Sequence, residues 1–182
     1  MRVRRIVTGH RPDGTSTIVS DQVPPRSHDY QHIPGMSETL VWATEPGEPI
    51  PTTGADPTPQ VTSFVPRPGG TRCLVVRFPP DSVFASDDFD PERAAAEQRV
   101  ASPGLAERFE PGTGGMHRTD SVDYVFVLEG NLWLELDQGQ EVALHPGDVV
   151  GQNGTRHAWR NRGTTPAVLG VVLVGASRPS PT

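Results

Sequence analysis

The run Gly114-Gly115-Met116-His117-Arg118-Thr119-Asp120-Ser121-Val122-Asp123-Tyr124-Val125-Phe126-Val127-Leu128-Glu129-Gly130 decides the fold. It leads with glycine and then alternates with the period of a strand, in which residues two apart share a face. Tyr124, Phe126 and Leu128 fall on one face. His117, Thr119 and Asp123 fall together on the other, provided no bulge intervenes. A second run, Pro146-Gly147-Asp148-Val149-Val150-Gly151-Gln152-Asn153-Gly154-Thr155-Arg156-His157-Ala158-Trp159-Arg160-Asn161, places His157 and Trp159 on the inward face of a later strand.

Working outward, short alternating segments separated by turns fill residues 111–176. Strands are expected at Tyr124 to Leu128, Leu132 to Leu136, Glu141 to Leu144, Val149 to Gln152, His157 to Asn161 and Val168 to Val174. Glycine and proline, 19 and 20 of 182 residues, are dense without reaching the level of a disordered chain. The expected class is all-β: one closed barrel or jelly roll. Residues 1–45 hold N-terminal strands and an arm, with strands at Val3 to Thr8, Ser16 to Ser20 and Thr39 to Thr44. Residues 46–70 form a proline-rich irregular surface connection. Residues 71–110 carry a buried strand, Thr71 to Phe78, and one short helix, capped by Asp90 with Pro91 at its first position and ending near Val100. The barrel core follows at 111–176, and 177–182 are a tail.

Composition removes several chemistries. All 16 basic residues are arginine, so Schiff-base catalysis and a phosphate-binding P-loop lysine are impossible. The single cysteine, Cys73, excludes an internal disulfide and a cysteine-based zinc site. A net charge of -6 gives no footprint for nucleic acid. The apolar run from Ala167 to Ala176 is far too short to cross a bilayer, and the basic start is not followed by a hydrophobic signal core. A cytoplasmic protein acting on a small molecule is expected.

The two runs resemble the cupin superfamily. Its first block is a glycine-rich lead, His-x-His, a later Glu and a closing Gly. Here the spacing holds from His117 to Gly130, with Thr119 in the place of the second His and Asp123 in the place of the Glu. Its second block matches Pro146 to Asn161, with Gln152 where proline is usual and one residue missing before Gly154. The segment Arg5-Ile6-Val7-Thr8-Gly9-His10 is also similar to the opening of a subgroup of short single-domain cupins. The resemblance implies a double-stranded β-helix and a site in the barrel interior.

Two histidines and a carboxylate, His117, Asp123 and His157, compose a 2-His-1-carboxylate set suited to one divalent transition metal per chain, Fe, Mn, Ni or Zn. Thr119, Trp159 and Gln152 are the expected substrate-pocket residues. Asp123 is shorter than Glu and could orient a histidine instead of binding metal. Thr119 weakens any metal site, so a metal-free pair of histidines acting as acid and base stays open. Three functional readings follow: a metal-dependent lyase, dehydratase, decarboxylase or isomerase; an iron-dependent dioxygenase; and a non-catalytic ligand-binding barrel. The apolar outer face of Tyr124, Phe126 and Leu128 needs a cover, and a homodimer is expected.

Overall fold

The computed structural model describes residues 2–50 and 55–179. The expected connection at 46–70 therefore lies outside the described residues at 51–54, and the tail at 180–182.

Eleven strands and one α-helix build the described chain. The hairpin of β1 (Arg5–His10) and β2 (Ser16–Gln22) pairs only with itself. Its first strand starts two residues later than expected. The turn explains the slip: Gly14 N–H donates to Arg11 O, the Asp13 carboxylate accepts from Thr15, and pairing must then begin at His10↔Ser16.

A six-stranded antiparallel sheet runs in the order β3 (Ser27–Asp29), β4 (Ser37–Thr44), β5 (Thr71–Phe78), β11 (Ala167–Gly175), β6 (Ser121–Glu129), β9 (Val149–Gln152). A three-stranded sheet, β10 (Ala158–Arg160), β7 (Leu132–Glu135) and β8 (Glu141–Leu144), supplies the second layer. One hydrophobic cluster joins them: Val125, Val127, Ala167 and Leu169 from the large sheet against Leu132, Leu134 and Leu144 from the small one. Gly130 turns β6 into β7 at φ 70°, and a Cβ there would sit 2.7 Å from Pro166 O, so only glycine fits.

The other end of the large sheet is covered differently. Leu40, Leu74, Val76 and Leu173 pack against Val61 and Phe64. The surface connection expected for 46–70 is corrected here: its later half folds inward, with Phe64 only 2% exposed and Val65 also buried. Proline-rich composition hid three apolar residues that the sheet end requires. Helix α1 (Pro91–Ala101) is capped by Asp90, whose carboxylate accepts from Glu92 N–H and Arg93 N–H, and it docks through Ala94 onto Tyr30 and Ile33. Among the described residues no helix is long and apolar enough to cross a membrane.

Candidate functional site

His117 and His157 lie opposite each other on adjacent strand segments, and each donates its backbone N–H to the other's carbonyl at 2.9 Å. That register puts both side chains on one face, with ring centroids 4.3 Å apart. Both are buried, at 7% and 3% exposure. Each ring is anchored in the same way: Nδ1 of His117 lies 2.9 Å from Gly115 O, and Nδ1 of His157 lies 3.0 Å from Thr155 O. A carbonyl can only accept, so each Nδ1 carries the proton and each Nε2 presents a lone pair. Neither Nε2 takes a hydrogen bond among the described residues.

Electrostatics keep both imidazoles neutral. Burial pulls the His157 pKa down to about 4, helped by the neighbouring His117, and burial also lowers that of His117. Phe109 packs at a tilt against His117, with ring centroids 4.5 Å apart, and Trp159 meets His157 edge-on at 5.5 Å.

Asp123 is buried on the same inward-facing run but is kept apart from the pair. It stands opposite Gln152 in the β6–β9 ladder. Its Oδ1 has no hydrogen-bond partner, and neither does Nε2 of Gln152. Burial without compensating donors pushes the Asp123 carboxyl up to about 6, only partly offset by Ser121. Thr119 is buried too, its Oγ1 accepting from Ser121 Oγ at 2.8 Å. Gln152 Oε1 accepts from Thr155 Oγ1. Gly154, at φ 59°, brings the turn before His157 close to the first block: a Cβ there would lie 3.0 Å from Thr119 O.

The donor types suit a divalent transition metal: two neutral imidazoles with free Nε2 atoms and one carboxylate oxygen without a partner. Their placement is less complete than the expected triad. Among the described residues no group of three His, Cys, Asp or Glu side chains is positioned to hold a metal ion. The strand pairing assembles His117 with His157 and leaves Asp123 opposite Gln152, beyond the irregular residues 118–120. The fit is thus to a two-imidazole hold.

Of the expected pocket residues, Thr119 and Gln152 are fully enclosed, while Trp159 is half-buried and also packs into the core between the sheets. The other histidines lie elsewhere. His28 pairs with Glu97 at 2.9 Å, and His145 approaches the Asn131 side chain. Arginines flanking the motif histidines are held by acids: Arg156 by Glu110 and Asp137, Arg160 by Glu135. Sequence reasoning missed Phe109 and Ser121. Ser121 lies on the inward parity of the first run and was legible there; Phe109 lies outside both runs and reaches His117 only through the fold.

Residues 106–174 match the Cupin domain family model. A 54-residue stretch is 52% identical to "Phomopsin biosynthesis cluster protein C'" of Diaporthe leptostromiformis, covering 30% of this chain and 29% of that protein. Over 70 residues the chain is 40% identical to "Cupin-domain-containing oxidoreductase fogC" of Aspergillus ruber, covering 36% and 34% respectively. The matched region therefore spans about a third of the length of these relatives. Among solved structures, a Cupin 2 conserved barrel domain protein from Salinispora arenicola aligns with 18% identity and a TM-score of 0.38, over 76% of this chain and 77% of that one. The family match, residues 106–174, spans both motif blocks and includes the paired His117 and His157.

Proposed function

We propose that the protein is an enzyme acting on a small organic molecule in the barrel interior by non-redox proton transfer, in the class of lyases, dehydratases, decarboxylases or isomerases. The observation that carries this reading is the pair of anchored imidazoles with free Nε2 atoms, on the same inward-facing run as a buried carboxylate whose Oδ1 has no partner. A substrate would donate a hydroxyl O–H to the Nε2 lone pair of His117 or His157, and place its acidic hydrogen at Asp123. A carboxyl pushed up to about 6 is close to the working pH of a general acid or base. The imidazoles, held neutral, orient the substrate without competing for its proton. Trp159 and Phe109 exclude water from the ring edges. When bound, a divalent transition metal at His117 and His157 would supply polarisation of the substrate oxygen.

A second reading is an oxidoreductase, with an iron-dependent dioxygenase as its specific form. Three relatives that match 32 to 36% of this chain carry the name cupin-domain-containing oxidoreductase, and this favours it. A homodimer is proposed alongside either reading: Tyr124, Phe126 and Leu128 leave an apolar row 41 to 51% exposed on the outer face of β6.

The test is hydrogen exchange. Incubation in D2O with a panel of small ketones and carboxylates, followed by proton NMR, should show loss of the hydrogen next to a carbonyl in at least one compound. Asp123→Asn should abolish it and His157→Gln should weaken it. Oxygen consumption instead of exchange favours the oxidoreductase reading. Saturable ligand binding with neither exchange nor oxygen uptake makes the barrel a binding module and overturns the enzyme.

A further inference from the structure

Outside the barrel interior, a cleft of about 450 Å³ opens between the turn before β5, the 3-10 turn Ala106–Arg108 and the segment after β11. Three arginines from those three places line it: Arg67, Arg108 and Arg178. Among the described residues lining it, Asp120 is the one acid. Asp120 is shared, 3.4 Å from Arg108 Nη1 and 2.5 Å from Arg178 Nε. Arg67 has only a loose partner, Glu45 at 3.8 Å, and Glu45 is already committed to the buried Arg72 at 2.5 Å. Three guanidinium groups thus line one cleft with a single carboxylate, in a chain whose net charge is -6. Elsewhere on the surface an arginine meets its own acid, as at Arg4–Asp21, whereas here Arg67 and Arg108 line one cleft with only loose acidic partners, at 3.8 and 3.4 Å, and so keep guanidinium donors to spare.

We propose that this cleft binds a small multivalent oxyanion, a phosphate or polycarboxylate group, through Arg67 and Arg108 with Arg178 closing one side. Its volume lies in the range of small-ligand sites, and the guanidinium fork matches both oxyanion classes. The site also touches the candidate functional residues. Arg178 Nη2 donates to Thr119 O at 2.7 Å and to Gly154 O at 3.0 Å, tying together the two backbone segments that lead from His117 and into His157. Occupancy of the cleft therefore bears on the clamp between the two motif blocks.

The proposal is tested on the full chain by thermal unfolding with increasing inorganic phosphate or citrate, against sodium chloride at matched ionic strength. Phosphate or citrate should raise Tm in a saturable way, by about 3–6 °C at ten times the dissociation constant, and the tighter of the two identifies the class. The exposed double substitution R67Q/R108Q should weaken binding at least ten-fold, while R4Q leaves it unchanged. Asp120→Asn, which removes the internal competitor, should tighten binding about three-fold or more. An equal response to chloride, an unchanged affinity in R67Q/R108Q, or weaker binding in Asp120→Asn would overturn it.

Discussion

Two buried carboxylates in this protein are treated in opposite ways. Glu38, on β4, is 6% exposed and receives hydrogen bonds from Tyr30 OH at 3.2 Å and from Ser102 Oγ, the residue that caps helix α1. Asp123, on β6, is 4% exposed, and its Oδ1 receives nothing. Burial raises both groups above the ordinary carboxylate range, and hydroxyls pull each back: Ser102 and Tyr30 together at Glu38, Ser121 alone at Asp123. A satisfied buried carboxylate fastens elements together: Glu38 joins β4 to the loop before it and to the end of α1. An unsatisfied one costs stability and is kept where chemistry or binding needs it.

The comparison is most sharply broken at Glu38. Glu38→Ala should destabilise the fold by about 3 kcal/mol, because it removes the carboxylate that both hydroxyls share, leaving them only each other, and opens a void beneath α1. A denaturant midpoint unchanged from wild type would show that the cluster holds nothing. Asp123→Asn should act in reverse, stabilising the protein at pH 7 by about 2 kcal/mol while removing hydrogen exchange on substrate.

The pH dependence sharpens the same contrast. The Asp123 carboxyl, near 6 in the fold and near 3.9 when unfolded, binds more protons folded than unfolded between those values. Its unfavourable contribution is absent below about pH 4 and complete above about pH 6, so stability from this group falls as pH rises through the window. His157 has the opposite sign. Its folded pKa near 4 lies below the unfolded value, so its contribution is complete above about 6.5 and is lost as pH falls towards 4. Subtracting the stability profile of Asp123→Asn from that of wild type isolates the carboxylate, and the difference should vanish below pH 4. A smaller effect is expected at Tyr30→Phe, about 1 kcal/mol of lost stability, because Ser102 still serves Glu38.

The strands with strong local signals were legible before the fold was seen. Thr71–Phe78, Glu141–Leu144 and Val149–Gln152 have the expected limits because a turn or proline pair closes each of them. Ser27–Asp29 was not legible, since those three polar residues are a strand only by pairing with β4. Burial of Phe64 against Leu40 and Leu74, and of Glu38 against Ser102, depends on partners distant in the chain and has no local pattern. At the site, period two and the two motif blocks located His117, His157 and Asp123 on the inward face. Their grouping depended on register: the ladder sets His117 against His157 but Asp123 against Gln152, and no spacing rule distinguishes that from a converged triad.

The central claim is that His117 and His157 are neutral, proton-bearing at Nδ1 and open at Nε2. Long-range nitrogen-proton NMR of the imidazole rings in the full chain measures this directly. Two rings in the Nδ1–H form are expected, with His157 remaining neutral until the pH approaches about 4, together with selective perturbation of both Nε2 signals by added Zn(II). Either ring in the Nε2–H form, or His157 titrating at the ordinary histidine value near 6.5, would contradict it.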